Sequence, residues 1–100
     1  MTKRKYQKFE DYLNEELKNP EKAAAFIEAA LESKDFDFLP EILMNIAKAH
    51  GISHLSKSSG LAREHIYQML SKNANPTIRS LYELLEAMDL EITISPKRAS

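Results

Sequence analysis

The chain has 100 residues, 43% of them hydrophobic, with no cysteine and a formal net charge of -1. That is enough for one small domain. It excludes a disulfide framework, a thiolate metal site and, with no apolar run near the ~18 residues of a span, a membrane helix. The charge is unevenly placed: residues 1–8 sum to +4, 9–45 to -7, 46–80 to +4 and 81–100 to -2. A basic segment suits a polyanion, and an acidic one suits a basic partner.

The basic start at Met1–Lys5 runs into Glu10 and Asp11 instead of an apolar stretch, so it does not read as a secretion signal. Tyr6, Phe9 and Tyr12 fit either a mobile aromatic arm that docks on a partner or an N-terminal helix packed on the domain. Asn19-Pro20-Glu21 reads as an N-cap with proline at the first helical position. Ala23, Ala24, Ile27, Ala30 and Leu31 then share one face of a helix that runs to about Ser33. Asp37 is expected to cap the next helix, whose apolar stripe is Leu39, Ile42, Leu43, Ile46 and Ala47 and whose end is Gly51.

Ser53 is expected to cap a very short helix ending near Gly60, with another from about Ala62 to Ser71. Asn73-Ala74-Asn75-Pro76 is a turn, and Thr77 can cap a helix that buries Ile78, Leu81, Leu84, Leu85 and Met88. Beyond Asp89, Leu90, Ile92 and Ile94 alternate with Glu91, Thr93 and Ser95, which predicts a short strand stopped by Pro96. A lone strand has to pair with something, such as an N-terminal segment, a second copy or a partner protein. Lys97 to Ser100 read as a tail.

The two short helices in the middle carry the functional argument. Helices that cross through a tight turn need a small residue at the crossing, a glycine in the turn, and apolar residues three apart on the second helix. Ser56, Gly60, Ile66 and Met69 stand at that spacing, with Leu55 and Leu61 as flanking core. The outward face of the second helix is then Ala62, Arg63, Glu64, Tyr67, Gln68 and Lys72. Arginine can fork onto guanine, glutamine can pair with adenine, and glutamate can accept from cytosine. Ser53, His54, Lys57, Lys72, Asn75 and Thr77 lie at helix starts and loops, where phosphates are held. The competing reading of the same spacing is an ordinary packed helical hairpin.

The stretch from Gly51 through Glu64 resembles the Cro/repressor type of helix-turn-helix. Its continuation through His65–Ser71, Asn75-Pro76-Thr77 and Leu84–Leu90 resembles the family of probable addiction-module antidote proteins, the HigA-like antitoxins. The upstream residues Asp11-Tyr12-Leu13, the Ala23–Leu31 helix and Asp35 through Gly51 fit the same family, so the likeness runs from about Tyr12 to Pro96. The departures are Ser56 for the usual alanine, Asn73-Ala74 where a glycine is common, and Met88-Asp89 where leucine-glycine is common. What the resemblance implies is a cytoplasmic antitoxin that neutralises a RelE/ParE-like toxin and represses its own operator.

The resulting expectation is an all-α, lambda-repressor-like helix-turn-helix domain over residues 37–96 ending in a short β-strand. A helical extension precedes it over 1–36, and a tail follows over 97–100. A homodimer is expected, because two recognition helices about 34 Å apart read a palindrome in double-stranded DNA. A stand-alone regulator without a toxin, and an interaction module that binds no DNA, are the alternatives. No cofactor, metal or enzymatic activity is expected: His50 and His54 are separated by the break at Gly51, and no nucleophile set stands out.

Overall fold

The structure, a computed structural model, describes residues 14–97, and those residues form helices and loops. The described part of α1 covers residues 14–18. It is followed by α2 (Pro20–Glu32), α3 (Leu39–His50), α4 (Ile52–Ser59), α5 (Arg63–Met69) and α6 (Ile78–Ala87). Tyr6, Phe9 and Tyr12 lie outside the described residues.

Leu17 is buried, and Lys22 of α2 pairs with Glu16 of α1 across the bend at Asn19. The Asn19 carboxamide oxygen accepts from the amide of Glu21 at 2.9 Å, which satisfies one of the amides orphaned at a helix start. At the other end, Lys34 takes a positive φ of 58° so that the Asp35 amide can donate to Ala30 O at 3.0 Å. That is a Schellman closure, in which glycine is the commoner residue.

Asp37 does not cap α3. The cap position is Phe38, and the Phe38 amide donates instead to Asp35 Oδ1 at 3.2 Å. Phe38 already has near-helical dihedrals, φ -85° and ψ -23°, so the turn is closed one residue later and by an earlier carboxylate than the spacing suggests.

The core sits where α3, α4, α5 and α6 meet. Ile46, Leu55, Ile66, Leu84 and Met88 are fully enclosed there. Each contributes about 1.5–3 kcal/mol of transfer free energy. Extension helix α2 packs on α3, burying Ala23 and Ala30, while α4 packs on α6. Thr77 caps α6, its hydroxyl accepting from the Ser80 amide at 3.0 Å. Ile78 is not on the buried side of that helix; it is 83% exposed.

The expected C-terminal β-strand is absent: among the described residues there is no strand. Leu90 is used otherwise. Asp89 turns left-handed at φ 62°, and the Leu90 amide donates to Leu85 O at 2.9 Å, so this residue closes α6 and tucks its side chain into the core. No extended segment among the described residues runs alongside 91–97 to form a ladder with it. The apolar alternation survives only as a gradient of burial, with Leu90 at 9%, Ile92 at 42% and Ile94 at 94% exposure.

Candidate nucleic-acid interface

The turn between α4 and α5 is held by three local interactions. Gly60 takes φ 78° and ψ 5°, and its amide donates to Ser56 O at 3.0 Å. The Ser56 hydroxyl donates to the Leu61 carbonyl at 2.6 Å, and the Ser59 hydroxyl accepts from the Leu61 amide at 3.1 Å. Serine at the crossing position is therefore more than a small residue: its hydroxyl satisfies a half-buried carbonyl that alanine would leave to solvent. Leu55, Ile66 and Met69 are buried beneath the turn, Leu61 packs partly against them, and Gly60 is exposed.

This turn sets α5 on the surface. Its inner side is Ile66 and Met69, followed by the buried Leu70, while Ala62, Arg63, Glu64, Tyr67 and Gln68 are all exposed. Tyr67 is 41% exposed, less than Phe26, Phe36, Phe38 or Tyr82, so its exposure alone does not single it out. Five of the six residues of the expected reading face are thus exposed on α5 or at its cap; Lys72, also exposed, stands apart in the loop that follows. His65, absent from the expected reading face, is exposed on the same helix. Its exposure could have been read from its place one residue before Ile66 in the helical register.

The phosphate candidates occupy two places. His54 and Lys57 are exposed on α4, while Lys72, Asn75 and Thr77 are exposed in the loop between α5 and α6 and at its end. Ser53 is exposed too but does not cap α4, whose N-cap is Gly51 with no side-chain bond. The Thr77 oxygen accepts from Ser80, which leaves the hydroxyl proton free to donate to an anion. Asn73 takes the left-handed conformation at φ 67°, giving this loop its sharp reversal.

His50 and His54 line one open pocket with Tyr82, Glu86 and Asp89. Burial holds the His50 imidazole below its ordinary pKa of 6.5, opposed by the nearby Asp89 carboxylate and aided by His54 and Lys18. Its Nε2 is enclosed without a hydrogen-bond partner. The Tyr82 hydroxyl donates to Glu86 at 3.1 Å, and that bond holds the phenol above its usual pKa. Among the described residues no three histidine or carboxylate side chains group as metal ligands.

No helix among the described residues is long and apolar enough to cross a membrane. No solved structure matches the chain. An uncharacterized protein of Haemophilus influenzae is 25% identical over 84 residues, covering 84% of this chain and 87% of that relative. The family model described as "Probable addiction module antidote protein" matches residues 5–96. With nearly its whole length inside that match, the chain belongs to the family of probable addiction module antidote proteins.

Proposed function

We propose that the chain is the antitoxin of a type II toxin–antitoxin module, acting in the cytoplasm as a homodimer that represses its own operator and neutralises a RelE/ParE-like toxin. Family membership supports the antitoxin role. The observation that carries the DNA reading is α5: Arg63, Glu64, Tyr67 and Gln68 stand exposed on a short helix fixed by the Ser56–Gly60–Leu61 turn. They lie within a segment, 46–80, where five lysines and arginines face a single glutamate.

In this reading Arg63 and Gln68 select bases, and Glu64 and Tyr67 refine the choice. Lys57, Lys72, His54, Ser53, Asn75 and Thr77 hold the flanking phosphates and set the register. A dimer aligns two such helices with successive major grooves. Substitution of base readers and phosphate holders tests the division of labour. Arg63→Ala and Gln68→Ala should each cost about 1–3 kcal/mol on the operator and relax sequence preference. Lys57→Ala should weaken all sequences alike. Unchanged operator affinity in a folded Arg63→Ala, Gln68→Ala double variant would rule out DNA reading by α5.

A further inference from the structure

We infer that an apolar groove between α2, α6 and the C-terminal segment is the docking surface for a basic, apolar-tipped segment of the toxin; the inference rests on the antitoxin reading above. The groove is an open cavity of about 350 Å³, walled by Ile27 and Leu31 of α2, Leu81 and Leu85 of α6, and Ile92. Leu31 is 46% exposed and Ile92 42% exposed. The α6 stripe continues at helical spacing to Ile78, which is 83% exposed. Lone exposed apolar side chains are ordinary, but several along one groove mark an interaction surface.

Charge disfavours a symmetric pairing of two copies through this groove. The groove lining includes Glu28 and Glu91 and no lysine or arginine. Residues 14–45, which supply α2, hold eight acids against three lysines. A second copy would set acid against acid, whereas a basic protein complements this surface. The main chain of residues 91–97 makes no hydrogen bond within the described residues, so it offers amides and carbonyls beside the groove with no partner among those residues. None of the lining residues belongs to α4, α5 or the loop that follows α5. The groove and α5 therefore draw on different residues, so toxin and operator do not compete for the same side chains in this assignment.

The test uses the full chain and the purified product of the reading frame adjoining its gene. Leu31→Arg and Ile92→Arg should each weaken binding of that product at least tenfold. The doubly charge-reversed Glu28→Lys, Glu91→Lys chain should weaken it several-fold and flatten its salt dependence. Operator affinity, and the molar mass by light scattering, should stay those of the unsubstituted chain. Toxin affinity within twofold of the unsubstituted chain overturns the assignment. So does a halved molar mass, which gives the groove to a second copy. A fall in melting temperature with toxin affinity intact also overturns it, because the groove then holds another part of this chain. If the unsubstituted chain fails to bind the neighbouring product, the antitoxin reading itself falls, an outcome distinct from failure of the groove alone.

Discussion

Gly60→Ala isolates what the helix-turn-helix turn requires. Gly60 sits at φ 78° and ψ 5°, and a Cβ built there meets nothing within 4 Å. The penalty is therefore backbone strain without collision, about 1–2 kcal/mol for an alanine in the left-handed region. The stiffer unfolded chain of the variant offsets part of this, by roughly 0.4–1 kcal/mol. A net loss near 1 kcal/mol should lower the melting temperature by about 4–8 °C in a domain of this size. Thermal melts followed by far-UV circular dichroism measure it, and Gly60→Asn should lose less, because asparagine tolerates the same dihedrals. A loss beyond about 3 kcal/mol would show that the position is crowded, against the open space seen here. No loss at all would show that the turn is not left-handed.

Three further outcomes follow from local geometry. Ser56→Ala should cost about 1 kcal/mol in chemical denaturation, because the 2.6 Å bond to the Leu61 carbonyl is lost although the smaller side chain still fits the crossing. Lys34→Gly should raise stability by up to about 1 kcal/mol, relieving the left-handed residue at φ 58° that closes α2; a melting temperature that falls would contradict that closure. His50 has a folded pKa held below its ordinary 6.5 by burial, so the unfolded chain binds the proton first as pH falls. Its contribution is intact above pH 6.5 and is lost progressively as pH drops through that value toward the folded pKa. A His50→Gln chain should accordingly lose less stability than the parent on acidification, and parallel pH profiles would remove His50 as the cause.

The parts of the fold legible in the sequence are those fixed by short-range chemistry. Asn19 before proline and Thr77 before an apolar run each place an oxygen within reach of a specific amide, and both caps form. The turn glycine and the apolar spacing of Leu55, Ile66 and Met69 locate the two crossing helices, because left-handed backbone and buried faces leave few other choices. Asp37 stands where a cap for α3 is expected, yet the cap position is Phe38, whose amide goes to the Asp35 carboxylate because of the path the chain takes after Lys34. Ile78 fits an apolar face by period, yet its burial depends on what packs at the start of α6. The period-two pattern after Asp89 cannot reveal that Leu90 is already bonded into the end of α6. Asn73 and Asp89 both adopt positive φ, and they are among the non-glycine residue types that tolerate it best. The exposed side of α5 is legible from register alone, whereas the groove is not, because its walls come from segments far apart in the chain.

The central claim is that α5 and its flanking lysines hold operator DNA. Binding of the chain to the duplex upstream of its gene, followed by fluorescence anisotropy across a salt series, tests it most directly. In the proposed dimer Lys57 and Lys72 of each protomer would supply four phosphate-neutralising charges, so the slope of log affinity against log salt should be about -4. Lys57→Ala should reduce that slope by about 2 per dimer, while Arg63→Ala should chiefly relax the preference for upstream DNA over random duplex. A flat salt response, or equal affinity for upstream and random duplex by the unsubstituted chain, would contradict the account.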